Sequence, residues 1–239
     1  MKILAFDSTA KSASIAVCED EKLLALYNID NGLTQSELLL PMAEAAIKAL
    51  RISFSDIDLF TASMVPGSFT CVRIGAALVK GLAFGRDVPC VSVSTIEALA
   101  ENLMPLDGVI VPVMDARRAQ VYTAIFVSDG AALHRECDDC AIPIKELAER
   151  LRQYNGKKIY LVGDGYSAAT AGLVEAGINL SPTPPLLINE NAYSIARVAL
   201  RKYKNGEYID DKSISPIYLR LPQAERERLE RLNQEAKNV

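Results

Sequence analysis

Tryptophan is absent from the 239 residues and histidine occurs once, as His134. The missing indole carries no functional message, but the lone imidazole does. One histidine cannot supply a paired-histidine metal centre, and no Ser-His-Asp arrangement is complete around it. No run of ~20 apolar residues occurs, so nothing reads as a membrane span. The opening run Ile3-Leu4-Ala5-Phe6 holds four apolar residues before Asp7, too short for the hydrophobic region of a signal peptide. A cytosolic chain without membrane contact is therefore expected, its five cysteines, an odd number, reading as reduced thiols. Charge of one sign is scarce too: 26 Lys and Arg stand against 30 Asp and Glu, a net charge of -4. No strong field draws in a phosphate backbone, and nucleic acid is expected to be met through a partner. What remains is an ordinary globular mixture, 50% hydrophobic and 23% charged, which excludes a solvated disordered chain. The length suits one large domain or two smaller ones.

A pattern of elements occurs twice. Ile3–Asp7, an apolar strand ending in aspartate, feeds a second strand at 13–17, and Val109–Asp115 likewise feeds a strand at 120–126. The first pair is followed by a strand near 22–28, a helix at 35–51, a strand at 58–64, a helix at 70–84, a strand at 88–93 and a helix at 95–103. After the second come a strand near 130–136, a helix at 143–154, a strand at 159–162, a helix at 166–176, a short strand near 178–180 and a helix at 191–204. The expected order is β-β-β-α-β-α-β-α twice: two α/β lobes, each a mixed sheet with helices on its faces, about a cleft. Met104-Pro105-Leu106-Asp107-Gly108 divides them, giving lobes at 1–104 and 105–221 and a polar tail at 222–239. Pro112 lacks the N–H a ladder needs, so its strand is expected to meet an edge or bulge there.

Several segments hold chemistry-bearing residues. Pro66-Gly67-Ser68-Phe69-Thr70 joins a strand to a helix that Thr70 would cap, and free amides at such a start favour a phosphate or carboxylate. A tight capped turn with nothing bound explains the same residues. Gly163-Asp164-Gly165-Tyr166-Ser167-Ala168 matches a loose dinucleotide pattern, but late in the chain and without the acidic residue that should follow. His134, Cys137 and Cys140 offer three zinc ligands where a closed structural site needs four. On the helix at 35–51, Leu38, Leu39, Met42 and Ala46 fall on one apolar face. The helix at 70–84 is apolar almost all round, with Ile74, Gly75, Leu78 and Leu82. One sheet covers one face only; the excess suggests a partner helix, with Met42 or Leu78 as a knob.

Val65-Pro66-Gly67-Ser68-Phe69-Thr70-Cys71-Val72-Arg73-Ile74-Gly75, continuing through Lys80-Gly81-Leu82-Ala83, resembles the Gly-Pro-Gly-Ser-Phe-Thr-Gly-Leu-Arg-Ile-Gly signature of the TsaB (YeaZ) family. Phe6-Asp7-Ser8-Thr9, Ser36–Pro41, Asp115–Tyr122 and the closing Pro216–Arg220 agree with that family in order. Gln35 replaces the family's usual histidine, Val65 its first loop glycine, and Cys71-Val72 its Gly-Leu.

The resemblance implies the actin-like ATPase superfamily fold of two ribonuclease-H-like lobes. It further implies a non-catalytic scaffold that binds and stabilises TsaD, the subunit transferring threonylcarbamoyl to tRNA adenosine beside the anticodon. TsaE would complete the complex, tRNA would be reached through it, and the chain alone would form a homodimer through the same helices. No required cofactor is implied. In the superfamily the first hairpin holds phosphate, so weak ATP or ADP with Mg²⁺ at the cleft would use Asp7, Ser8 and Thr9, with Gly67, Ser68, Asp115, Gly163 and Gly165 nearby. A small-metabolite kinase is the rival reading.

Overall fold

The computed structural model describes residues 1–216; the tail expected at 222–239, and the closing motif beyond Pro216, lie outside them. Strands β1 (Lys2–Asp7), β2 (Ala13–Glu19) and β3 (Lys22–Ile29) form an antiparallel meander. Helix α1 (Gln35–Leu50) returns the chain to β4 (Leu59–Val65), and α2 (Phe69–Ala83) leads to β5 (Cys90–Ser94). Both crossovers make parallel pairs, so the first sheet runs β3-β2-β1-β4-β5. The sequence explains why β1 sits at its centre. Leu4 and Phe6 pack under α1 and α2 with Met42, Ala46 and Val79. Ile3 and Ala5, on the opposite face, pack under a different helix, and a strand apolar on both faces belongs inside a covered sheet.

Helix α3 (Thr95–Asn102) then crosses to the second lobe. There β6 (Gly108–Asp115), β7 (Gln120–Thr123), β8 (Phe126–Ser128), β9 (Leu133–Arg135) and β10 (Cys140–Pro143) order as β10-β7-β6-β8-β9. After α4 (Ile144–Leu151) and a 3₁₀ turn at Arg152–Tyr154, β11 (Ile159–Val162) pairs parallel with β6. Helices α5 (Tyr166–Glu175) and α6 (Ala192–Lys204) complete the described chain. The two-lobed α/β fold with a ribonuclease-H-like strand order is the one expected.

Details of the second lobe differ. The strand expected at 120–126 breaks at Ala124-Ile125 into β7 and β8. Pro112 stands opposite that break: β8 pairs with residues 108–110 of β6 and β7 with 113–115. A residue without an N–H sits where the neighbouring strand changes, so the proline and the bulge are one feature. Strand β10 was not expected, and 178–180 is a loop rather than a strand. Helix α6 packs not on its own lobe but on the outer face of the first sheet, Ile195, Val198 and Ala199 meeting Ile3, Ala5 and Val93. Helix α3 reciprocates, placing Ile96, Leu99 and Leu103 against Ile110, Met114 and Phe126 of the second sheet. This exchange ties the lobes together. Asn102 fastens it, donating to the Leu187 and Asn189 carbonyls and accepting from Asn191 and Ser194.

Candidate functional site

The turn after β1 is tied down by its own side chains. Asp7 Oδ1 accepts from the Thr9 amide at 2.8 Å, the Thr9 hydroxyl at 2.7 Å and the Ser63 hydroxyl at 3.0 Å. Ser8 Oγ donates to the Cys71 carbonyl at 2.7 Å, and Gln35 Nε2 donates to the carbonyls of Ala10 and Lys11. The loop carrying Gly67 and Ser68 lies directly on this turn. A Cβ on Gly67 would stand 2.8 Å from that of Thr9, and the Ser68 amide reaches the Thr9 carbonyl at 3.4 Å. Gly75 is needed for the same reason, since a Cβ there would come within 2.8 Å of Ser8 Oγ. The structure thus brings Asp7, Ser8, Thr9, Gly67 and Ser68 together. It spends the Ser8 and Thr9 hydroxyls on protein acceptors. Thr70 is not the cap of α2: Ser68 holds that position and Thr70 lies inside the helix.

Across the cleft, the turn Gly163-Asp164-Gly165 presses against β6. Gly163 adopts φ +116 and a Cβ there would approach the Val113 carbonyl oxygen to 2.4 Å. Its amide donates to Ile188, and that of Gly165 to Val113. These glycines serve strand-to-turn packing, which accounts for a dinucleotide-like pattern out of its usual context. Asp164 Oδ1 accepts from the Asp115 amide at 3.0 Å, and Asp115 Oδ1 from the Arg117 amide at 2.7 Å.

A fourth acidic residue, Glu190, was not anticipated. It lies just before α6 in Asn189-Glu190-Asn191, a segment with no periodicity to mark it. Asp7 and Glu190 are both buried, and among the described residues neither Asp7 Oδ2 nor Glu190 Oε1 has a hydrogen-bond partner. Burial, reinforced by the charges of Asp7 and Asp164, pushes the Glu190 carboxyl up to about 8. Burial also raises Asp7, against the hydrogen bonds from Thr9 and Ser63, and raises Asp164. Carboxylates from β1, the β11–α5 turn and the approach to α6 therefore converge, each disfavouring ionisation of the others, and Glu190 is the one held protonated at neutral pH. Among the described residues no three His, Cys, Asp or Glu are arranged to hold a metal ion.

The helix pair requires a correction. Leu39, Met42, Ala46 and Gly75 are buried in their own lobe, Met42 only 5% exposed. They cannot face a partner, because the sheet beneath them already claims that face. Leu38, Ile74, Leu78 and Leu82 are half-buried along its border. The exposed positions of these helices hold instead Leu40, Pro41, Ala45 and Ala49 of α1 and Ala77 and Gly81 of α2, among the charged Glu37, Glu44, Lys48, Arg73 and Lys80, with Phe84 at the end of α2 73% exposed. A cavity of ≈ 700 Å³ lies elsewhere, lined by Arg152, Lys157, Lys158, Asn179 and Ser181; no expected site residue borders it. No helix among the described residues is long and apolar enough to cross a membrane.

Comparison with known proteins places this geometry. A family model described as "TsaD: tRNA N6-adenosine threonylcarbamoyltransferase" matches residues 34–228. The tRNA threonylcarbamoyladenosine biosynthesis protein TsaB of Bacillus subtilis is 29% identical over 94% of this chain and 96% of its own length. That of Escherichia coli is 28% identical over 92% and 95%. The solved structure of YeaZ from Pseudomonas aeruginosa superposes with a TM-score of 0.74 at 22% identity, covering 91% of this chain and 99% of that one.

Proposed function

The chain belongs to the tRNA N6-adenosine threonylcarbamoyltransferase family and, within it, to the TsaB group; on that premise we propose that it serves threonylcarbamoyladenosine synthesis as a scaffold subunit. In this reading it performs no group transfer itself. It docks through α1 and α2 onto the transferase subunit, TsaD, with TsaE joining the assembly and tRNA met through the complex. Alone, it pairs with a second copy through the same helices.

The observation that carries the reading is the outward face of α1 and α2. Pro41, Ala45, Ala49, Ala77 and Gly81 put small side chains at exposed positions between the charged Glu44, Lys48, Arg73 and Lys80, and a Cβ built on Gly81 meets nothing within 4 Å. Leu40 and Phe84 supply exposed apolar bulk beside it. Small residues allow close helix approach, and large ones give the burial that holds it. The closed first hairpin supports a non-catalytic role over the kinase reading, because the Ser8 and Thr9 hydroxyls that would meet a phosphate already donate to Cys71 and Asp7. Nucleotide at the cleft is accordingly expected to bind weakly or not at all.

The test is reconstitution with the transferase from the same source. The two should co-elute, and tRNA modification from the threonylcarbamoyl adenylate should require the pair, while this chain alone yields none. Full transfer by the transferase without this chain, or transfer by this chain alone, would overturn the proposal.

A further inference from the structure

We propose that Cys137 and Cys140 are a reversible thiol–disulfide modification site, exchanging with a small disulfide of the glutathione class, on the loop that fastens the second lobe to the start of α3. Three of the five cysteines are poor candidates for such chemistry. Cys18 and Cys90 are buried, and burial pushes their thiols up to about 12 and about 11. Cys71 sits by itself at the start of α2. Cys137 and Cys140 are both half-buried, and their sulfurs engage the same short piece of backbone at the β7–β8 break. Cys137 Sγ accepts from the Ile125 amide at 3.3 Å, and Cys140 Sγ donates to the Thr123 carbonyl at 3.5 Å. Arg150 Nη1 reaches Cys140 Sγ at 3.7 Å. Burial raises the Cys140 thiol and the Arg150 guanidinium beside it works against that rise, so what sets this pair apart is that two half-buried thiols meet at one break in the sheet.

The residues between them give the pair a consequence. Asp139 accepts from the Ser94 hydroxyl at 2.6 Å, and the same Ser94 oxygen caps α3 by accepting from the Glu97 amide at 3.2 Å. The other Asp139 oxygen pairs with Arg135 at 2.6 Å; Arg135 in turn reaches Glu97 at 3.9 Å and lies over the Phe126 ring. Closing a disulfide brings the sulfurs to about 2 Å of each other and constrains the backbone between them. Cys140 then has no S–H to give Thr123, and the two sulfurs cannot both keep their present contacts. Asp139, inside the new ring, is drawn away from Ser94, so oxidation loosens the cap where the chain crosses between lobes.

The chemistry balances without a metal. The Cys137 thiolate attacks one sulfur of the small disulfide and expels one thiolate. The Cys140 thiol, giving its proton to water, then attacks Cys137 Sγ in the mixed disulfide and expels a second thiolate. Two protein thiols are oxidised, and one small disulfide is reduced to two thiols.

The full chain in graded oxidised and reduced glutathione tests this, with acid quenching, alkylation and peptide mass mapping, and hydrogen exchange at the Glu97 amide. A Cys137–Cys140 disulfide should form while Cys18, Cys71 and Cys90 still alkylate. Exchange at Glu97 should rise about fivefold as Ser94 loses the Asp139 acceptor that holds it at the cap, and dithiothreitol should reverse both. Cys140→Ser should stop at a glutathione adduct on Cys137. The proposal fails if the pair stays reduced until the buried cysteines oxidise, if the bridge involves Cys71, or if the disulfide forms with Glu97 exchange unchanged.

Discussion

The buried carboxyl of Glu190 makes folding stability depend on pH in a direction opposite to that of a salt-bridged acid. Its carboxyl rises from the usual 4.5 to about 8 in the folded protein, through burial first and the nearby Asp7 and Asp164 second. Between those values the folded chain holds one proton more than the unfolded chain, so stability falls as pH rises. This contribution is fully present below 4.5 and is lost as the pH climbs through about 8. At ~1.4 kcal/mol per pH unit across that interval, the loss amounts to about 5 kcal/mol. Asp7 and Asp164 are shifted in the same direction and add to the slope. Glu190→Gln keeps the shape of the protonated acid and cannot ionise. Urea unfolding of wild type and variant, measured from pH 5 to 9, should show the wild type losing stability steadily and the variant sloping less. The curves should converge at the acid end, with the variant the more stable protein at pH 9. Parallel profiles would show that Glu190 ionises freely in the folded state, and the account of Glu190 as held protonated in the cleft would be wrong.

Four other substitutions separate packing from surface. Met42→Arg places a charge under α1 against Phe6 and Ile15, in the first lobe's core; it should cost about 4 kcal/mol of folding stability by denaturant titration. Leu40→Glu and Phe84→Glu, at exposed positions, should each leave the isolated chain's midpoint within about 0.5 kcal/mol. Each should weaken co-elution with the transferase subunit roughly tenfold or more by titration calorimetry. Gly163→Ala must fit a Cβ into the Val113 carbonyl at a strained φ, and should lower stability by about 3 kcal/mol in the same unfolding assay.

The order of elements along the first lobe was legible because its signals are local. The apolar run of β1, the helical step of α1 and the glycines around β4 and α2 each act over a few residues. The family signature lay there too, in residues 65–75. Which face of a helix is covered is not a local property. In the periodicity Met42 looks like an interface apolar and Leu40 falls off that face. Only the sheet under α1 makes the first core and the second surface. The same holds for α6, whose amphipathic pattern says that it must cover something but not that the first sheet is what it covers. Glu190 was invisible for the same reason. Its chemistry comes from Asp7, far earlier in the chain, and from Asp164, and from the water that packing removes. A sequence specifies how each segment is patterned, while burial and the meeting of distant charges arise only when the lobes close on each other.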